Sequence, residues 1–126
     1  MMQQGTLYQR LGGAEGIETL VDDIVAAHME NPVIQARFRP YAEDPERLDE
    51  LKAHLRRFLA EGSGGPEEYQ GRTMPDAHRG MNISVAEYWA AVDDIMDALE
   101  ENGVGESAQK DVLAISYQLK EAIVRV

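Results

Sequence analysis

One histidine, His78, lies in a short segment that glycine and proline residues interrupt. The segment 69–78 follows the break Gly64-Gly65-Pro66. A single imidazole can be a complete protein-side metal site when a porphyrin supplies the other four nitrogen donors to iron. Pro75 suits the first position of a helical turn, because its missing N–H would have no partner there, and Gly80 suits its end. The spacing predicts a one-turn helix that carries His78, either as an axial iron ligand or as a polar residue on a surface turn.

The composition excludes several other kinds of site. The chain has no cysteine, which excludes disulfides, a thiolate nucleophile and Cys-based zinc or iron–sulfur centres. Twelve Lys and Arg against 23 Asp and Glu give a net charge of -11, which disfavours nucleic acid and anionic lipid surfaces. The start of the chain lacks a secretion signal, and no apolar run is long enough for a membrane span. We therefore expect no membrane insertion and a cytoplasmic location.

Four stretches carry apolar residues at helical spacing, and none shows the strict alternation of an exposed strand. Helices are predicted over about 14–29, 45–61, 85–101 and 106–124, separated by glycine, proline and asparagine breaks. Ser84 and Glu87 form a capping box at the start of the third. Its predicted buried face consists of Val85, Tyr88, Val92, Ile95, Met96 and Leu99. The chain is predicted to be all-α, with residues 1–126 in one domain.

Several motifs occur in an order and spacing that identify a family. They are Leu7-Tyr8-Gln9-Arg10-Leu11-Gly12-Gly13, Phe58-Leu59, Gly64-Gly65-Pro66, Tyr69, Gly71-Arg72, Met74, Ala77-His78 and Ile83. This pattern spans nearly the whole chain and resembles the truncated haemoglobins, most closely group I. The resemblance implies a truncated globin-like two-over-two helical sandwich around a haem b cofactor, with a long glycine-containing loop replacing most of one globin helix.

The resemblance also implies roles for individual residues. His78 matches the proximal iron ligand, and Tyr69 and Arg72 match groups near the haem propionates. The other expected haem contacts are Val25, Phe38, Leu51, Leu55, Phe58, Leu59, Met74, Ile83, Tyr88 and Ile115. An apolar residue at helical spacing can equally be plain core, and Tyr69 and Arg72 can equally be solvated.

The distal side departs from the pattern that the resemblance implies. Group I members usually stabilise O2 with a tyrosine in the second helix and a glutamine in the helix over the haem, where this chain has Val25 and Leu55. Each lost charge-assisted hydrogen bond removes roughly 1.5–3 kcal/mol, which predicts fast O2 release. His54 lies about 60° from Leu51 on the same helix, at the flank of the apolar stripe. It is either a distal sixth ligand to iron or a surface histidine near a propionate.

Three functions follow from these expectations. The first is a haem protein that binds the diatomic gases O2, CO and NO, with NO dioxygenation, nitrite or hydroxylamine reduction or peroxidase-like chemistry as further activities and a reductase as partner. The second is a gas or redox sensor switched by dissociation of His54. The third is a globin scaffold that has lost haem, against which His78, Phe38 and Met74 argue.

His28 lies near the end of the predicted helix 14–29, where the helix dipole favours a cation. We assign it no chemistry.

Overall fold

The structure is a computed structural model that describes residues 5–66 and 71–126. Within these residues the chain forms helices and no strand, which confirms the all-α prediction. The helices are α1 (Leu7–Arg10), α2 (Gly13–Glu30), α3 (Gln35–Ala42), α4 (Pro45–Gly62), α5 (Met74–His78), α6 (Val85–Glu101) and α7 (Glu106–Ile123). None of the helices within the described ranges has both the length and the apolar character that crossing a bilayer requires.

The four long helices α2, α4, α6 and α7 lie where the periodicity predicts them, to within one or two residues. Local sequence explains where they begin. The Asp44 side chain accepts a hydrogen bond from the Arg47 amide at 3.3 Å and Pro45 opens α4. Ser84 and Glu87 form the predicted capping box of α6. The short helices α1 and α3 were not predicted, because one or two turns carry too little periodicity.

The long helices form two packed pairs. Helix α2 packs on α4, α6 packs on α7, and the two pairs meet where α2 contacts α6. The short α3 lies against α2 and α4, and α5 lies against α7. The core between the pairs consists mostly of aliphatic side chains, namely Leu11, Ile17, Leu20, Val21, Ile24, Val25, Ala60, Ala98, Leu99 and Val112.

One residue of the predicted core is at the surface. Val85, the first residue of α6, is 47% exposed, so its predicted place on the buried face was wrong. Tyr88, Val92 and Leu99 on the same helix are buried as predicted. A first-turn residue lies at the end of the helix, where the neighbouring helix does not cover it.

The glycine break after α4 packs closely against the start of the chain. The Tyr8 amide donates a hydrogen bond to the Ser63 carbonyl at 2.8 Å. A Cβ at Gly65 would lie 2.5 Å from the Tyr8 ring and 2.8 Å from the Ala60 carbonyl oxygen. Because no side chain fits there, this position requires glycine, and the loop toward α5 leaves α4 in a fixed direction.

Candidate functional site

Helix α5 is a single turn that ends on His78. The Thr73 side chain caps it by accepting a hydrogen bond from the Asp76 amide at 3.3 Å. The helix begins at Met74, so the prediction that Pro75 is its first residue was wrong by one position; proline is well tolerated there because first-turn amides have no helical partner. Gly80, with φ +84°, lies just beyond the end, in the left-handed conformation that glycine adopts at least cost.

The hydrogen bond of His78 defines which ring nitrogen is available. Nδ1 lies 2.8 Å from the Met74 carbonyl oxygen, one turn back in α5. A carbonyl only accepts hydrogen bonds, so Nδ1 carries a proton and Nε2 is the ring nitrogen left for a metal. Histidines that bind metals commonly have this arrangement, in which a backbone carbonyl fixes the ring orientation. The half-buried His78 therefore has the hydrogen-bond geometry of an Nε2 ligand.

The segment after α5 is attached to the end of α7. The Gly80 amide donates to the Val126 carbonyl at 3.2 Å, and the Arg125 amide donates to the Ile83 carbonyl at 3.0 Å. The Arg125 guanidinium adds a bond to the Asn82 side-chain oxygen at 3.2 Å. These contacts hold the chain on the C-terminal side of His78 against the residues that follow α7.

A charged contact joins α3 to the start of α6. Arg37 pairs with Glu87 through Nε and through Nη2, the latter at 3.2 Å, and Nη2 also donates to the Met81 carbonyl at 3.0 Å. These hydrogen bonds from Arg37, with those from Ser84, lower the pKa of Glu87 to about 2. The pair places Phe38, the next residue of α3, at a defined distance from the loop that follows His78.

Most of the predicted haem contacts are apolar side chains that the protein covers only in part. Helix α4 is strongly amphipathic, yet Ala60 is its one fully buried residue, whereas six residues of α2 are buried. The half-buried positions are Phe38, Leu51, Leu55, Phe58, Leu59, Met74, Ile83 and Ile115. Apolar side chains on separate helices that stay partly exposed fit a site in which a large flat apolar group completes their burial. These residues therefore suit a porphyrin.

Two of the predicted contacts are buried by the protein itself. Val25 is 1% exposed and belongs to the core around α2, and Tyr88 is 7% exposed on α6. Leu55 packs against the same core while staying half-buried. Neither Val25 nor Leu55 can donate a hydrogen bond, so the two matching distal positions are apolar in the fold as well as in the sequence.

The remaining predicted positions lie at the surface or outside the described residues. His54 is exposed on α4, and Arg72 is exposed two residues before α5. Tyr69 lies outside the described residues. Across the parts of the chain that the structure describes, no three His, Asp or Glu side chains are grouped so that they could hold a metal ion. Among the described residues, a metal ion would therefore need further ligands, such as the four nitrogens of a porphyrin.

The sequence interpretation missed a buried polar cluster around His28. His28 is 7% exposed, its Nδ1 lies 2.7 Å from Asp94 Oδ2, and its ring centroid lies 5.0 Å from that of Phe38. The Asn31 side-chain amide donates to both Asp94 carboxylate oxygens, at 3.2 and 3.1 Å. Burial lowers the pKa of His28, although Asp94 opposes this shift, so burial acts against the cation that a position near the helix end favours. The cluster supports Phe38 from α2 and α6.

Comparison with known proteins gives a consistent result. A family model described as bacterial-like globin matches residues 6–125. A group 1 truncated haemoglobin of Synechocystis sp. is 27% identical over 115 residues, covering 88% of this chain and 89% of that protein. A group 1 truncated haemoglobin of Nostoc sp. is 28% identical over 119 residues, covering 94% of this chain and 97% of its own length.

Solved structures show the same fold at lower sequence identity. The truncated haemoglobin of Tetrahymena pyriformis in the Fe(III) form has a TM-score of 0.87 at 21% identity and covers 97% of this chain and 100% of that one. The 2/2 haemoglobin of a Synechococcus species, in the cyanomet state with covalently attached haem, has a TM-score of 0.85 at 21% identity and covers 95% and 98%. These similarities confirm the predicted two-over-two helical sandwich.

Proposed function

Because the chain belongs to the bacterial-like globin family, we propose that it binds haem b through His78 and binds O2, CO and NO at the haem iron. The observation that carries the proposal is the hydrogen bond from His78 Nδ1 to the Met74 carbonyl at 2.8 Å, which leaves the Nε2 lone pair for a metal. When bound, haem would supply an iron atom with four porphyrin nitrogens and one position for a gas. We assign the whole of residues 1–126 to this one domain.

Other side chains of this chain would shield the cofactor from water and bind its propionates. The half-buried apolar residues of α3 to α7 exclude water from the cofactor, and the Arg72 guanidinium offers a charged partner for a propionate. Tyr69 joins Arg72 in the proposal on the sequence alone. The residues that would surround the porphyrin are Val25, Phe38, Leu51, Leu55, Phe58, Leu59, Met74, Ile83, Tyr88 and Ile115.

Chemistry beyond reversible binding follows from the apolar distal side. Val25 and Leu55 admit small uncharged molecules but stabilise no partial charge, so O2 leaves quickly and NO dioxygenation is disfavoured. Nitrite or hydroxylamine reduction and peroxidase-like chemistry demand less of these residues. Nitrite or hydroxylamine reduction needs a reductase to return the iron to the ferrous state, and the chain's net charge of -11 favours a partner with a basic surface.

The test is absorption spectroscopy of the hemin-loaded protein in ferric, ferrous and CO-bound forms, compared with His78→Gly. We expect the variant to lose the parent's bands and to regain them when imidazole is added, because free imidazole replaces the missing side chain. Such recovery separates a lost ligand from a damaged fold. A His78→Gly protein that binds hemin as tightly as the parent, with the same bands and no imidazole, would reject the proposal.

The sensor function depends on His54, whose side chain is exposed in the structure. Swinging inward, it would occupy the sixth position of ferric iron and leave when gas binds, and the resulting movement of α4 would be the output. His54→Ala also serves as the matched control for His78→Gly, since it should retain hemin. A change from low-spin to high-spin ferric bands in His54→Ala supports the sensor, whereas a parent that is already high-spin at neutral pH rejects it.

A further inference from the structure

Three aromatic residues form a continuous path from the buried face of α6 to the surface of α7. The ring centroids of Tyr88 and Trp89 lie 5.6 Å apart in an edge-on arrangement, and those of Trp89 and Tyr117 lie 6.3 Å apart and nearly parallel. Exposure increases along the path, from 7% at Tyr88 through a half-buried Trp89 to 63% at Tyr117. We call Tyr88, Trp89 and Tyr117 the aromatic path.

The rings of the aromatic path are held by the packing of α6 on α7. The Tyr88 hydroxyl donates a hydrogen bond to the carbonyl of Ser116, the residue immediately before Tyr117. The Ser116 hydroxyl in turn donates to the Val112 carbonyl at 2.9 Å within α7. The two ends of the path are therefore tied together through one buried contact, and their separation is set by the fold.

Tyr117 is the exposed end of the aromatic path. Its ring has 63% of its surface in water and stacks on Trp89. Tyrosine and tryptophan are the side chains that most readily give up one electron, and closely spaced rings let electrons pass in short steps. A buried tyrosine, a tryptophan and an exposed tyrosine in contact are the arrangement such transfer needs.

We propose that the aromatic path carries electrons from Tyr117 at the surface to the haem site when the protein reacts with a peroxide. The proposal rests on the proposed function, which places Tyr88 at the haem. The exposed phenol is the electron source, and an added phenol of similar chemistry can replace it as the substrate. The path thus gives the protein an outward-facing oxidation site for small phenolic reductants.

The reaction balances with hydrogen peroxide as the oxidant. Two Tyr117 side chains, on two copies of the chain, each lose one electron and the phenolic proton. Peroxide accepts both electrons and both protons, its O–O bond breaks, and two waters form. Without an external phenol, the two tyrosyl radicals join through a carbon–carbon bond between ring carbons, and the hydrogens on those carbons return to oxygen, giving dityrosine.

The surroundings favour Tyr117 over Tyr88 as the place where the proton leaves. Lys120 Nζ lies 5.2 Å from the centre of the Tyr117 ring, so a positive charge on that ring is disfavoured and loss of the proton to water is required. Tyr117 is open to water, whereas Tyr88 is buried with a carbonyl as its partner. Burial also raises the pKa of Tyr88.

Another tyrosine, Tyr41, provides a matched comparison. Its ring centroid lies 6.2 Å from that of Phe38, another proposed haem contact, and Arg47 lies 4.8 Å from its ring centre. Tyr41 thus resembles Tyr117 in having a cation over its ring and an aromatic neighbour. Phenylalanine is much harder to oxidise than tryptophan, so no equivalent transfer to Tyr41 is expected.

The experiment treats the hemin-loaded protein with hydrogen peroxide in the presence of a nitroso spin trap and maps the adducts by mass spectrometry. Dityrosine fluorescence and covalent dimers are measured without the trap. We expect the adduct on Tyr117, loss of both dimer and fluorescence in Tyr117→Phe, and loss of most of the Tyr117 adduct in Trp89→Phe. Tyr41→Phe should behave like the parent, and the apoprotein treated with peroxide should give no adduct.

The haem spectrum, recorded before peroxide is added, separates the two proposals. Failure to take up hemin overturns the proposed function and this inference together. Uptake of hemin followed by peroxide consumption without a Tyr117 adduct overturns the aromatic path alone. An adduct on Tyr117 that is as abundant in Trp89→Phe as in the parent, with an unchanged haem spectrum, also overturns it.

Discussion

At the residue scale, two apolar side chains, Val25 and Leu55, would determine how the proposed haem site binds a gas. Val25 is buried in the core, whereas Leu55 is half-buried and packs only partly against that core. A tyrosine at position 25 would have to enlarge a closed core, at a cost of roughly 1–3 kcal/mol. Position 55 is therefore the one at which a hydrogen-bond donor can be tested without disturbing the fold.

Leu55→Gln is expected to slow O2 release by about tenfold or more, because a hydrogen bond to a partly charged ligand contributes roughly 1.5 kcal/mol or more. CO accepts such hydrogen bonds less well, so its release should change little. The measurement is stopped-flow displacement of each gas from the ferrous protein. Leu55→Met, which has similar volume and no donor, is the control. Equal O2 release from the two variants would show that position 55 does not lie over the bound gas.

The residues differ in how far their roles could be predicted from the sequence. The helical turn that carries His78 was predictable because nearby proline and glycine mark it, and the hydrogen-bond partner of His78, Met74, is one turn away. The surroundings of His28 were not predictable, since its partner Asp94 is 66 residues distant in the chain. A position near a helix end indicates a favoured cation, but burial, which opposes the charge, depends on how α3 and α6 pack over α2.

At the element scale, periodicity was sufficient for the long helices and insufficient for the short ones. The stripes of α2, α4, α6 and α7 each extend over more than four turns, and their ends carry caps or breaks. Helix α1 has a capping box formed by Thr6 and Gln9 but only four residues, and α3 contains Pro40. Both pack against α2, while α1 also contacts α7 and α3 also contacts α4, and the sequence pattern does not specify these contacts.

The start of α6 combines a capping box with an ion pair. Their contributions to the free energy of unfolding can be told apart by varying the pH. The folded-state pKa of Glu87 is about 2 against an ordinary 4.5, so its contribution is present above pH 4.5 and is lost as the pH falls toward 2. Glu87→Gln can still form the capping box but loses the charge toward Arg37. We expect it to reduce the free energy of unfolding at neutral pH by about 1 kcal/mol, since the pair is partly exposed, and to flatten the fall below pH 4.5.

Ser84→Ala is the matched control for this measurement, made by urea unfolding at several pH values. It removes the hydroxyl that accepts a hydrogen bond from the Glu87 amide at 3.0 Å, and it leaves the Arg37–Glu87 pair in place. The loss of a cap should cost about 1 kcal/mol at every pH. A pH profile of Glu87→Gln identical in shape to that of Ser84→Ala would show that the ion pair contributes nothing to acid sensitivity.

At the scale of the whole molecule, the protein buries the apolar faces of its two helix pairs to different extents. Helix α2 contributes half of the buried core residues, whereas α4 leaves its apolar stripe half-buried. Helix α5 packs mainly on α7. Stability should therefore be uneven in the apoprotein, high around α2 and lower at α4, α5 and the segment from Gly80 to Ile83.

Binding of hemin should reduce this difference in local stability between the helices. A ligand at 100 times its dissociation constant stabilises the folded state by about 2.7 kcal/mol, and here the added contacts fall on α4 and α5. We expect hydrogen exchange to slow most over residues 48–61 and 74–83, with much less change at Leu20 and Val21 in the core of α2. His78→Gly loaded with hemin should show less protection over 74–83 than over 48–61, because the link from the cofactor to α5 is cut. Equal slowing across all helices in the parent would instead mean that the apoprotein already opens as one unit, and that the half-buried stripe of α4 is not where the cofactor makes its contacts.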